Sequence, residues 1–174
     1  MKTEENIERE GQLTGETGDD IAAEILDALR EKNETLTTVE SLTAGMISAR
    51  LADIPGCSDV LKRAYVTYCD QAKHEMVGVK DLTLEKYTAV SAQTAQEMAQ
   101  GGARAAKADA CVSATGYAGP AAGPQDDSAG LVFLGCYYHG RTEVERHLYS
   151  GGRNEVRQMA MNDALRLLLR MVSG

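Results

Sequence analysis

Tryptophan is absent from the 174-residue chain, and phenylalanine occurs once. Seven tyrosines are the only other aromatic side chains, so the core must be built from Ala, Val, Leu, Ile and Met. Lysines and arginines form no run, and the net charge is −8, which argues against a phosphate-backbone binder and hence against a nucleic-acid partner. The four cysteines, Cys57, Cys69, Cys111 and Cys136, are widely spaced with no CxxC. That excludes a disulfide framework and zinc spacing, and Cys111 and Cys136, set in apolar runs, read as buried thiols. His74, His139 and His147 sit in separate elements with no HxxxH or HExxH, so neither a metal site nor histidine-based catalysis is expected. No apolar stretch approaches the ~18 residues of a membrane span, and the N-terminus lacks an apolar signal core. No membrane partner is expected, and a reducing cytoplasm is the expected compartment.

What is present fits one domain. Residues 1–20 are Glu-rich and polar, with Gly11, Gly15 and Gly18, and read as a flexible acidic tail. The domain is expected over residues 21–174. Asp19 or Asp20 caps a first helix with apolar Ile21, Ile25, Ala28 and Leu29. Thr35–Glu40 reads as a strand, and Leu42–Ala52 as a helix stopped by Ile54-Pro55-Gly56. Ala64–Tyr68 reads as a strand and Gln71–Met76 as a turn or two of helix. Ser91 caps an Ala-rich helix running to about Ala106. Ala110–Ala114 reads as a buried strand, followed by a Gly/Pro-rich loop from Gly116 to Gly130. Leu131–Tyr138 and Thr142–Tyr149 form a hairpin around His139-Gly140. Val156, Met159, Ala160, Ala164, Leu167 and Met171 line one face of a last helix. The sum is an α/β fold: a single three-layer α/β/α domain with a mixed β-sheet.

Four places can hold chemistry. In Glu40-Ser41-Leu42-Thr43-Ala44-Gly45 a strand ends and a helix begins, at the carboxyl edge where α/β proteins bind ligands. Ser41 is placed to be a nucleophile there, and the helix start offers N–H groups to an anion. Ser41 and Thr43 fit plain helix caps equally. Tyr68-Cys69-Asp70-Gln71-Ala72-Lys73 brings a tyrosine and a lysine from a second strand end. Burial lowers a lysine's pKa and lets it act as base to a hydroxyl, although a half-buried Tyr and a surface Lys also fit. The Tyr68–Lys73 spacing is one residue too long for a Tyr-x-x-x-Lys oxidoreductase, and no GxGxxG follows the first strand. The loop Thr115-Gly116-Tyr117-Ala118-Gly119-Pro120-Ala121-Ala122-Gly123-Pro124 follows a buried strand and reads either as a ligand loop or as ordinary surface. Arg153 opens the last helix, where it can fork onto a phosphate or stay solvated.

Taken in order, these segments resemble the CinA C-terminal domain family of nicotinamide-nucleotide amidohydrolases, from about Ile21 to Val172. The resemblance rests on Val39–Gly45, Ile54–Ser58, Tyr65–Lys73, Val77–Val79, Ala89–Ser91, Thr115–Pro120 and Gly151–Arg157. It implies hydrolysis of the carboxamide of nicotinamide mononucleotide to the acid and ammonia, a step in pyridine-nucleotide salvage. Ser41 would be the nucleophile, Lys73 the base, and Tyr68 a relay or orienting group. Thr43, Gly45, Thr115, Gly116, Gly119 and Arg153 would hold the substrate, with backbone N–H groups near Ser41 or in the Thr115–Gly119 loop stabilising the oxyanion. The resemblance implies no metal and no organic cofactor, and a homo-oligomer. Ala44 stands where the family has a glycine, and Ala121-Ala122 with Asp126–Gly130 replace a glycine- and lysine-bearing loop. An inactive nucleotide-binding or interaction module, or an amidase or esterase with another small substrate, are the alternatives.

Overall fold

The computed structural model of the protein describes residues 18–119 and 129–174. The expected tail up to residue 17 and the loop segment 120–128 lie outside the described residues. Five strands form one mixed sheet in the order β2-β1-β3-β4-β5. They are β1 (Leu36–Glu40), β2 (Leu61–Val66), β3 (Ala110–Gly116), β4 (Leu131–Tyr138) and β5 (Arg141–Leu148). β1 pairs parallel with both β2 and β3, whereas β3–β4 and β4–β5 are antiparallel. The hairpin turns at His139-Gly140, as the sequence predicts; both residues have positive φ.

Helices cover both faces, which makes the expected three layers. On one side lie α1 (Gly18–Glu31), α2 (Met46–Ala52) and α6 (Arg153–Ser173). α1 buries Ile21, Ala22, Ile25, Leu26 and Leu29; α6 buries Val156, Ala160, Ala164, Leu167, Leu168 and Met171 at the helical period. On the other side α5 (Ala92–Ala106) lies across the sheet. Ser91 caps it as expected, its hydroxyl accepting the Thr94 N–H at 3.2 Å. α3 (Asp70–Val77) and α4 (Asp81–Tyr87) pack against α5.

Several elements differ from the sequence reading. α1 begins at Gly18, inside the stretch read as tail and ahead of the expected Asp19 or Asp20 cap. α2 begins at Met46 rather than Leu42, because residues 41–45 form a turn that Glu40 caps. β2 lies at Leu61–Val66 rather than Ala64–Tyr68. It is an edge strand whose side chains are mostly exposed, so it has no apolar alternation to mark it. α4 was not expected at all: it is short and buries only Thr83.

The contact between α3 and α5 depends on a glycine. A Cβ on Gly101 would lie 1.8 Å from the Val77 carbonyl oxygen. Gly101→Ala should therefore force the two helices apart, costing about 2 kcal/mol or more against a helix-propensity gain of about 1 kcal/mol. Chemical denaturation measures this, and an unchanged midpoint would show that α3 moves freely.

Candidate active site

The parallel strands β1, β2 and β3 end at one edge of the sheet, and the candidate residues emerge there. β1 delivers Glu40 and Ser41, β2 delivers Thr67 and Tyr68, and β3 delivers Thr115 and Gly116. α3 then contributes Lys73, and the start of α6 contributes Arg153 and Arg157.

Ser41 and Lys73 meet. The Lys73 Nζ lies 3.2 Å from Ser41 Oγ and 2.9 Å from the Thr67 carbonyl oxygen, to which it donates. Lys73 is 1% exposed, and it is the largest fully buried side chain among the described residues. A surface lysine is thereby excluded. Burial holds its pKa below the ordinary lysine value, partly opposed by Asp70 and Cys69 at the start of α3, which favour the charged form. An amine so placed has its nitrogen within reach of a hydroxyl proton and a lowered cost of being neutral.

The turn after Ser41 is held from two sides. Glu40 is fully buried. Its carboxyl oxygens accept the N–H groups of Gly45 at 2.9 Å, Ile47 at 3.1 Å and Ser48 at 2.9 Å. The start of α2 is thus capped from inside the chain, and the N–H groups of Gly45 to Ser48 are taken. Gly45 has φ +97°, a conformation that suits glycine, and its neighbour Ala44 also lies in the left-handed region at φ +49°. From the opposite side Arg157 Nε donates to the Leu42 carbonyl oxygen at 2.9 Å, and Nη2 to that of Thr43 at 3.4 Å.

Tyr68 is placed elsewhere than the expected relay. It is 56% exposed, and its hydroxyl accepts from Arg153 Nη2 at 2.9 Å rather than bonding Ser41 or Lys73. Tyr68, Arg153 and Gly119 form one rim: a Cβ on Gly119 would lie 3.5 Å from Arg153 Cβ. Thr115 is buried and donates to the Ala89 carbonyl oxygen at 2.7 Å, tying β3 to the segment before α5. Gly116 is a ladder residue opposite Val132, where a Cβ would meet the Leu131 carbonyl oxygen at 2.6 Å. Both thus have structural duties in the sheet. Thr43 is buried, and its Oγ1 has no hydrogen-bond partner among the described residues.

Sequence reasoning gave Glu40 and Arg157 no role, although both fall inside motifs. Their partners are backbone groups, which leave no mark in side-chain identity. The one signal available for Glu40 was its place at the end of a short Thr- and Val-rich strand. Among the cysteines, Cys111 and Cys136 are buried as expected, and burial pushes both thiols well up.

Comparison with known proteins agrees with this architecture. A curated competence-damage inducible protein from Alkaliphilus metalliredigens is 41% identical over 168 residues, covering 97% of the chain. Another, from Clostridium beijerinckii, is 43% identical over 144 residues and 83% of the chain. The chain spans 39% and 35% of the length of these two relatives. The crystal structure of a competence/damage-inducible protein from Agrobacterium tumefaciens superposes with a TM-score of 0.85 at 34% identity, covering 92% of this chain and 99% of that one. A competence or damage-inducible protein from Enterobacter asburiae gives a TM-score of 0.86 at 33% identity, with 91% and 99% covered. The CinA C-terminal domain family matches residues 18–172, nearly every described residue. This chain belongs to the CinA C-terminal domain family.

Proposed function

We propose that the protein is a nicotinamide-nucleotide amidohydrolase of the cytoplasm that converts the carboxamide of nicotinamide mononucleotide to the carboxylate and ammonia. The observation that carries this reading is the buried Lys73 amine 3.2 Å from the Ser41 hydroxyl. Serine–lysine pairs perform acyl transfer without histidine or metal.

In the reaction, neutral Lys73 takes the Ser41 proton as Oγ attacks the carboxamide carbon. The tetrahedral intermediate collapses, the C–N bond breaks, and Lys73 returns the proton to the departing nitrogen, which leaves as ammonia. Lys73 then takes a proton from water. The resulting hydroxide attacks the acyl carbon, the bond to Oγ breaks, and the proton returns to Ser41. Arg153, on the exposed rim with Tyr68, is suited to the substrate phosphate. Tyr68 acts through Arg153, orienting it toward the nucleotide, rather than through the dyad.

The test is direct. Protein incubated with nicotinamide mononucleotide should release ammonia and the acid stoichiometrically, and Ser41→Ala should lose activity by about 10⁴-fold or more. Absence of ammonia from the wild type would sink the reading and favour an inactive nucleotide-binding module. Release from another amide or ester alone would redirect the substrate while keeping the dyad.

A further inference from the structure

The backbone of the Ser41 turn can be counted donor by donor. Ser41 N–H donates to the Ala114 carbonyl oxygen at 2.9 Å, Ala44 N–H to that of Ser41 at 3.1 Å, and Met46 N–H to that of Thr43 at 3.1 Å. The N–H groups of Gly45, Ile47 and Ser48 go to Glu40. Within 41–48, only Leu42 and Thr43 have N–H groups with no acceptor among the described residues. These are the two residues directly after the proposed nucleophile.

The Thr43 N–H belongs to the same peptide plane as the Leu42 carbonyl, and in a trans peptide the two point in opposite directions. Arg157 fixes that carbonyl at 2.9 Å, while its Nη1 is steadied by Asn154 Oδ1 at 3.3 Å. Arg157 reaches the turn from α6, on one side of the sheet. Lys73 reaches it from α3, which packs with α5 on the other. An N–H turned away from Arg157 is therefore turned to the side where Lys73 meets Ser41. With its carbonyl released, this peptide would be free to flip and present its oxygen to the developing negative charge.

We propose that Arg157 is a positioning residue for amide hydrolysis: by holding the Leu42 carbonyl it aims the Thr43 N–H at the substrate oxyanion. This rests on the serine amidohydrolase reading above. Preorganised donors aimed at developing charge act on the transition state more than on the bound substrate. Loss of the clamp should lower kcat and spare KM.

The experiment uses pyridine-3-boronic acid, whose boron accepts Ser41 Oγ to give a tetrahedral anion, the hydroxyl proton passing to Lys73. Wild type, Arg157→Met and Arg157→Lys are compared by ¹⁵N amide spectra, boronate titration and steady-state kinetics, with melting curves to establish folding. In the wild type the Thr43 amide proton should move downfield on boronate binding. Arg157→Met should lose that shift and bind boronate about 10-fold or more weakly. Its kcat should fall about 100-fold with KM within about 3-fold, and the pH midpoint set by Lys73 should stay in place. Arg157→Lys should recover part of this, having one compact charge for one carbonyl. Boronate bound to the wild type without movement of the Thr43 amide would overturn the inference and leave the amidohydrolase reading intact. So would an Arg157→Met variant with raised KM and unchanged kcat, which would make Arg157 a ligand-binding group. A wild type that neither binds boronate nor releases ammonia would remove both.

Discussion

Replacing Lys73 by methionine should reduce turnover by about 10³-fold or more while leaving the melting temperature near neutral pH unchanged or higher. The kinetic part follows from its position: Nζ is the basic group bonded to the Ser41 hydroxyl, and loss of a positioned general base typically costs about 10²–10⁴-fold. The stability part follows from burial. Because burial lowers the Lys73 pKa, the unfolded chain holds this proton over a pH range in which the folded chain has released it. Stability therefore rises with pH from the lowered folded value up to about 10.4, the unfolded value, and below that range the full penalty of a buried ammonium is present. Methionine matches the length of the stem without the charge, at the loss of two hydrogen bonds. The same shift sets the sign of the activity profile. Reaction needs the neutral amine, so kcat/KM should climb with pH through a midpoint below the ordinary lysine value. Melting curves at neutral and alkaline pH, beside the rate profile, measure both. A variant that melts well below the wild type would mean that Lys73 serves the fold rather than the reaction.

Glu40→Ala should be the most destabilising single polar substitution, by about 4 kcal/mol. It removes the acceptor of three backbone N–H groups in and beside α2, in a place where Glu40 itself is fully buried. A buried donor left without a partner costs about 1–3 kcal/mol; the Ile47 N–H is buried and those of Gly45 and Ser48 partly so, and the cavity adds to the loss. Glu40→Gln keeps one oxygen but turns an NH₂ toward donors, so about 2 kcal/mol is expected. Denaturant titration with unchanged slope is the appropriate measurement. Both variants should also lose activity beyond their stability loss, since Ser41 follows Glu40 directly and its turn is closed by the same bonds. A cost below about 1 kcal/mol for Glu40→Ala would show that water replaces the carboxyl group readily and that the turn needs no cap.

The sequence was readable wherever burial imposes a period. α1, α5 and α6 show their apolar faces at helical spacing, and β4 with β5 is announced by the His139-Gly140 turn. It was unreadable where burial is slight: β2 is an exposed edge, and α4 packs against α5 with one buried residue. At the site, strand-end placement makes Ser41 and Lys73 separate candidates, and only their order relative to known motifs joins them, since 31 residues intervene and periodicity is silent on distance. Tyr68 was found by the same route, yet the structure turns its hydroxyl to Arg153. Glu40 and Arg157 illustrate what sequence withholds. One closes the donors of a turn and the other its acceptors, and a side chain that serves the backbone has no partner residue to betray it.

The central claim is that Ser41, activated by Lys73, forms a covalent acyl intermediate from a nicotinamide nucleotide. Rapid acid quenching of the protein with nicotinamide mononucleotide, followed by peptide mass spectrometry, tests it most directly. The peptide containing Ser41 should gain the mass of the substrate less ammonia in the wild type, and show no such gain in Ser41→Ala or Lys73→Met. Ammonia released at the wild-type rate by Ser41→Ala, with no adduct on any peptide, would contradict it.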